Sequence, residues 1–520
     1  MNQGPSRVAR LSLFLGYALI LSGGILMRIP LLDPPSLWYD DEWVAALVRF
    51  AGLREWLEYR ASVPMGFVAS LKGISYLDAD PERGLQLLPM LCGLVAPLLL
   101  GWLVQRETRL PPLGLVAAAL LAMSPVAVGY SMRVKQFSWD ALIVVAVLIV
   151  GLSALQKAAA PSWRQILPTA IATLLSYVSI LVAAPIMHVS LLRNFVRERP
   201  TLGLALQRAL PTLALDLLWF GYYWFRLRGQ SRGDVNFFWR LRGVLPEWSA
   251  DGLMGYFFSN GPYGFTKAIG NALPFIDPTM GTLLVGISLL GLWVNLSSRW
   301  LGVFFSSFYA LALFGALFGL YPFGGIRTDI FSYPVTVCLV SLALGIGLNR
   351  FVAHQREAIA SLLAGLSLAM FMIQVVRPRP APTPYPARSD AELVSLLETS
   401  RASDEYVLVS RAAHFAVGYY GNLPMRYVGL PQDGFRIEVL DPRWIQLQWN
   451  QSEFDFPEMD SLNRLWYLDI DLNRSAGETN QNLLDWLSLQ GFATTALTEN
   501  TNGALRRLDR VRPAQTPPSG

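Results

Sequence analysis

The chain has 520 residues, of which only 15% are charged and 53% belong to the hydrophobic set, with a mean hydropathy of +0.37. A water-soluble enzyme carries roughly a quarter charged residues, so these totals exclude an ordinary soluble globular protein and point to a polytopic membrane protein. Two cysteines, Cys92 and Cys338, and three histidines, His188, His354 and His414, are widely scattered, which speaks against a disulfide framework or a metal cage; the net charge of +5 reflects membrane topology, and nothing points to nucleic acid.

Apolar stretches of near-spanning length run over 9–27, 84–104, 112–130, 138–157, 164–195, 208–225, 281–297, 300–319, 330–348 and 358–375. The first follows Arg7 and Arg10 and runs into Arg28-Ile29-Pro30 without a small-residue cleavage site, so it reads as an anchor rather than a signal peptide. The stretch 164–195 is too long for one ordinary span. It reads as one tilted helix or as two short helices hinged near 176–179. Division gives about eleven spans and puts the basic residues at Arg106, Lys157, Arg193, Arg208, Arg299 and Arg350 in inner loops, as the charge rule requires. The run 65–77, interrupted by Lys72, is too short to cross and reads as a helix lying on, or re-entering, the outer surface.

With the N-terminus inside, four polar features fall on the extracytoplasmic side: the loop 28–80, the turn 130–136, the long loop 226–280 and the turn 321–329. The spans together form a membrane domain over 1–376. A stiff proline-rich linker comes next over 377–389, then an extracytoplasmic α/β domain over 390–512, and a disordered tail over 513–520. In that domain Tyr406-Val407-Leu408-Val409 and Leu465-Trp466-Tyr467-Leu468 read as buried strands, and 480–489 reads as an amphipathic helix stopped by Gly491.

The chemistry is concentrated in a few charged residues. Asp40-Asp41-Glu42 sit between Trp38-Tyr39 and Trp43 in the first outer loop. They read either as a solvated turn that caps a helix near Trp43 or as a general base, since adjacent acids repel and one of them can hold its proton into the range useful for abstraction. Asp41 and Glu42 also have the chemistry to hold a divalent cation, the one cofactor the sequence leaves open. Arg133 and Lys135 read as cations reaching for headgroups or as binders of a lipid-linked phosphate. Arg327, behind Gly324-Gly325, is a similar phosphate candidate, and Lys72 a weaker one. Arg83, beside Glu82, reads first as a structural ion pair. The loop 226–280 mixes five arginines with aromatic residues and suits either a membrane surface or a cover over a substrate. No nucleotide-binding fingerprint or zinc-protease signature occurs in a fitting context.

The order of these features resembles the GT-C superfamily of integral membrane glycosyltransferases, and in particular the bacterial protein O-mannosyltransferase and lipid A aminoarabinose transferase group. The stretches that carry the resemblance are Arg28-Ile29-Pro30, Trp38-Tyr39-Asp40-Asp41-Glu42, Ser62-Val63-Pro64-Met65-Gly66-Phe67, Pro81-Glu82-Arg83-Gly84-Leu85-Gln86-Leu87-Leu88-Pro89, and Ser124-Pro125 through Tyr130-Ser131-Met132-Arg133, within about residues 10–350. The family pair of acids is matched to Asp41-Glu42, with Asp40 as a rival, and the family's tyrosine after the outer arginine is replaced by Lys135, Gln136 and Phe137. The resemblance implies a GT-C-like fold in the plasma (bacterial inner) membrane. It also implies inverting transfer of a sugar from a polyprenyl-phosphate-linked donor to an extracytoplasmic glycan, lipid or protein acceptor. Asp41 would be the base, Glu42 its support, and Arg133, Lys135 and Arg327 the phosphate binders, with Lys72 and Arg83 as further substrate contacts. The rival classes are a transporter or flippase of lipid-linked sugars, which spans nearly free of acids disfavour, and a non-catalytic assembly subunit.

Overall fold

The computed structural model describes residues 7–31, 37, 39–50, 52, 63–77, 81–157, 159–222, 224, 244, 246–258, 263–324, 327–352, 354–377, 390–410, 413–421, 425–430, 434–447, 462–470, 477–499 and 503–511. Trp38, residues 226–243, 245 and 259–262 of the loop 226–280, the linker over 378–389 and the tail over 513–520 lie outside the described residues. The chain divides into two compact units, Met1–Leu32 with Arg60–Pro382, and Asp33–Tyr59 with Thr383–Gly520. The middle of the first outer loop, 33–59, therefore groups with the C-terminal residues, and the rest of that loop stays with the helical unit.

The first unit is helical. Its elements are α1 (Arg7–Arg28), α3 (Met65–Ser75), α4 (Pro81–Thr108), α5 (Pro111–Ala122), α6 (Pro125–Tyr130), α7 (Phe137–Lys157), α8 (Trp163–Leu175), α9 (Ile180–Glu198), α10 (Leu202–Tyr222), α11 (Ala250–Phe258), α12 (Phe265–Gly270), α13 (Pro278–Val294), α14 (Arg299–Leu317), α15 (Tyr333–Phe351) and α16 (Arg356–Val376). Among the described residues, seven helices are long and apolar enough to cross a membrane, and Pro111–Ala122 and Pro278–Val294 are shorter apolar helices. Side chains such as Phe14, Leu167, Leu217, Ile287 and Leu362 are exposed on the outside of the bundle, the inverse of a soluble surface.

The stretch 112–130, read as one span, is broken. Helix α5 ends at Ala122 with Met123 as its C-cap, Pro125 opens α6, and the Ser124 hydroxyl accepts a hydrogen bond from the Ala127 N–H at 3.3 Å. Pro at the first helical position and Ser before it are the ordinary signals for a new helix. Nine residues of α5 are buried, so it is apolar all round because it lies inside the bundle. The hinge expected near 176–179 is also present, as a 3-10 turn over Tyr177–Ser179 between α8 and α9. Helix α3 buries Phe67, Val68 and Leu71. It is fastened by the Tyr177 hydroxyl on the Val63 carbonyl at 3.1 Å and packs Phe67 against Trp139.

The second unit holds α2 (Tyr39–Phe50), α17 (Asp390–Ser400), β1 (Tyr406–Val409), α18 (Ala413–Tyr420), β2 (Met425–Leu430), β3 (Gly434–Val439), β4 (Trp444–Gln446), β5 (Arg464–Ile470), α19 (Gly477–Leu489), β6 (Phe492–Glu499) and β7 (Gly503–Arg510). A five-stranded sheet runs in the order β4-β1-β5-β7-β6; β1 pairs parallel with β4 and β5, and β7 pairs antiparallel with β5 and β6. Val407, Val409, Trp466, Leu468 and Ile470 face one core with α17 and α18, while Leu408, Leu465 and Tyr467 face another with Leu483 and Leu487 of α19. Burial on both faces is why these strands read as unbroken apolar runs. Strands β2 and β3 form a separate hairpin.

Candidate functional site

In the second unit, α2 packs against α18. Its face Val44, Ala45, Leu47 and Val48 is buried. The Leu37 N–H donates to the Tyr420 hydroxyl at 2.6 Å, and the Arg49 guanidinium donates to the Tyr419 carbonyl while lying over the Tyr419 ring. These contacts place the acids. Helix α2 starts at Tyr39, so Asp41 and Glu42 are in its first turn, where the helix dipole favours a carboxylate. The helix begins about one turn before the start near Trp43 expected from sequence, so Asp41 lies within it. Asp41 is 3% exposed and Glu42 is fully buried, which excludes the solvated turn. The side chain of Asp40 lies outside the described residues.

In the first unit, the expected cations occupy two neighbouring places. Arg133 and Lys135 are in the turn between α6 and α7, Arg133 half-buried and Lys135 only 6% exposed. The turn closes on itself through the Arg133 N–H to the Tyr130 carbonyl at 3.3 Å and the Lys135 N–H to the Arg133 carbonyl at 2.7 Å. Arg28, 1% exposed at the end of α1, fixes it from outside. Its Nε donates to the Ser131 hydroxyl at 2.7 Å, Nη1 to the Gly24 carbonyl at 2.9 Å and Nη2 to the Gly93 carbonyl at 3.3 Å. One guanidinium so joins α1, α4 and the cation-bearing turn. Composition shows Arg28 only as a charge at the end of a span; its tertiary contacts are what turn it into the bundle.

Arg327 is half-buried in the turn before a 3-10 segment, Ile330–Ser332, that packs on α7. The start of α7 and the Arg327 turn therefore lie at one end of the bundle. Asp329, which the sequence marks only as the edge of a turn, organises that turn. It is fully buried, and both of its oxygens accept from the Gly324 N–H, at 3.0 and 3.2 Å. Gly324 has φ +118, a conformation that favours glycine, and its carbonyl accepts the Gly264 N–H at 2.9 Å. The Tyr321 hydroxyl donates to the Thr328 carbonyl and the Tyr256 hydroxyl to the Phe323 carbonyl, each at 2.5 Å. Burial pushes the Asp329 carboxyl well above the usual carboxylate range, against the pull of the Gly324 N–H and Thr328.

Lys72 and Arg83 are half-buried, in the last turn of α3 and the first turn of α4. These turns touch where Gly84 lies against the Ser75 carbonyl. The structure thus groups Arg133 and Lys135 with the Arg327 turn, sets Lys72 and Arg83 at a separate helix junction, and puts Asp41 and Glu42 in the other unit. Among the described residues no three His, Cys, Asp or Glu side chains form a group that could hold a metal ion.

No protein-family model matches the chain, and no curated protein is similar to it. Solved structures are. One is the oligosaccharyltransferase AglB from Archaeoglobus fulgidus in complex with an inhibitory peptide and a dolichol-phosphate, at 12% identity and a TM-score of 0.48 over 80% of this chain and 64% of that one. A second is the Archaeoglobus fulgidus oligosaccharyltransferase in complex with Zn and sulfate, at 15% identity and 0.47 over 78% and 61%. A third is ArnT from Cupriavidus metallidurans bound to undecaprenyl phosphate, at 13% identity and 0.48 over 94% and 97%. The chain spans less than two thirds of the length of the two archaeal proteins.

Proposed function

We propose that this chain is an integral membrane glycosyltransferase that moves a sugar from a polyprenyl-phosphate-linked donor to an acceptor hydroxyl outside the plasma membrane, with inversion. In this reading the chain crosses about eleven times, its N-terminus is cytoplasmic and its C-terminal α/β unit is extracytoplasmic. The observation that carries it is the turn with Arg133 and Lys135, two cations sunk into one end of the bundle and fixed there by buried Arg28. A preorganised guanidinium and ammonium at that depth suit a phosphate whose charge grows as its bond to the sugar breaks. Arg327, on the adjacent turn, serves the same phosphate.

The reaction balances simply. The acceptor oxygen forms a bond to the anomeric carbon, the bond from that carbon to the phosphate oxygen breaks, and the polyprenyl phosphate leaves with the electron pair. The acceptor proton goes to the Asp41 carboxylate, with Glu42 beside it, and no acid is needed at the leaving group. Purified protein given a labelled polyprenyl-phosphate sugar and acceptor tests this. Asp41→Asn should lose about 100-fold or more in kcat, the usual worth of a general base, while melting like the wild type. Full activity in that variant removes Asp41 from the role, and no transfer by the wild type on any such donor removes the reading itself.

A further inference from the structure

The opposite end of the helical bundle holds a cavity of about 280 Å³, near the lower end of the small-molecule range. It lies where α4, α7, α9 and α15 end and where α13 turns into α14, so it is far along the spans from the Arg133 and Arg327 turns. Thr108, Gln156, Arg193, Ser297, Ser298 and Asn349 give it a hydroxyl- and amide-rich lining. Its one acid, Glu107, is already engaged, with Arg106 at 2.5 Å and with the Gln156 amide.

Positive charge here is not balanced. Arg193, on the cavity wall, donates to the Leu155 carbonyl, which occupies one of its five N–H groups. Arg197 and Arg299 are close enough for their charges to bear on it. Among the described residues no carboxylate is paired with any of the three. The remaining wall is apolar, with Trp300, Leu301 and Leu342. Cations and hydroxyl groups above an apolar wall, at the depth where spans end, match an amphiphile rather than a soluble ion. Basic pockets between membrane helices are known binders of acidic lipid headgroups.

We propose that this cavity seats the headgroup of an anionic phospholipid, its phosphate against Arg193 and its hydroxyls against Ser297, Ser298 and Asn349. The site is distinct from the transfer chemistry and does not depend on it. The test is native mass spectrometry of the full chain, stripped of lipid in detergent. The probes are phosphatidylglycerol, phosphatidylcholine with the same acyl chains, and glycerol phosphate. Phosphatidylglycerol should be retained and phosphatidylcholine not. Arg193→Gln with Arg299→Gln should lower retention about tenfold, the scale of one lost charge-assisted hydrogen bond, and Arg193→Lys should restore part of it. Arg164→Gln, which removes a charge away from the cavity, should leave it intact. Equal retention of both lipids, no change in the double variant, or an equal loss in Arg164→Gln would overturn the proposal. Glycerol phosphate bound as tightly as the lipid would overturn it in favour of a soluble ligand.

Discussion

Arg28 makes three hydrogen bonds to neutral oxygens, those of Gly24, Gly93 and Ser131, at the buried end of α1. Each bond from a charged donor contributes about 1.5–3 kcal/mol, and removing the guanidinium takes that donor from all three oxygens. Arg28→Leu is therefore expected to cost about 3 kcal/mol or more, read as a lowered melting temperature in detergent. Donor KM should rise in surviving enzyme, because the Arg133 turn loses its anchor. Asp329 is the opposite kind of buried charge. Its folded-state pKa lies above the unfolded value, so its stabilising contribution belongs to the protonated form. That contribution is full below the unfolded pKa, about 3.9, and is lost as pH rises through the folded value. Asp329→Asn keeps an oxygen for the Gly324 N–H and removes the titration. The variant should gain on the wild type in a melting series as pH is raised, and parallel pH curves for the two proteins would contradict this.

At the scale of elements, α3 is set by two glycines in contrasting surroundings. A Cβ on Gly66 would lie 2.3 Å from Leu175 Cδ2 and 3.1 Å from Leu175 Cα, whereas one on Gly73 would meet nothing within 4 Å. Gly66→Ala should push α3 from the end of α8 and destabilise by about 1–3 kcal/mol. Gly73→Ala, in the same helix, should instead stabilise by about 0.5–1 kcal/mol, since it removes backbone entropy without a clash. Melting of the two variants side by side separates helix propensity from packing. The break between α5 and α6 has a related cause. Pro125 has no N–H to donate back to the preceding turn, and Ser124 caps the first turn of α6, so an apolar stretch long enough to cross becomes two helices.

At the scale of the molecule, the C-terminal α/β unit is tied by charge as well as by its two apolar cores. Arg464 donates to Asp509 at 2.7 Å and to Glu405 at 3.1 Å, and Arg507 donates to Asp509 at 2.8 Å. Hydrogen bonds from Arg464, then from Arg507, hold the Asp509 carboxyl below the usual range. Glu405 is also held low: burial opposes its ionisation, but Trp466, the Ala402 N–H and Arg464 outweigh it. Folded pKa values below the unfolded ones give stability that is present above the unfolded pKa of about 4 and lost as pH falls through the folded values. Hydrogen exchange in β5 and β7, taken relative to the intrinsic rate at each pH, should therefore accelerate below about pH 4 in the wild type. In Arg464→Ala it should be faster already at neutral pH, with little further change on acidification.

The sequence by itself determined the apolar helices, the two central strands and the glycine-stopped helix α19, because hydrophobic length and period are local and report burial directly. It also marked the acids at 41–42 and the cations at 133, 135 and 327 as charges that needed a reason. Tertiary structure alone decided their company. Helix α2 joins α18 across some 370 positions of chain, as the Arg49–Tyr419 bond shows, and Arg28 meets Ser131 across 103. Asp329 becomes a buried acid only when Gly324 turns back on it. A local pattern fixes which face of an element is buried, but not which distant face covers it, since that choice is made by shape and by hydrogen bonds between residues far apart in the chain.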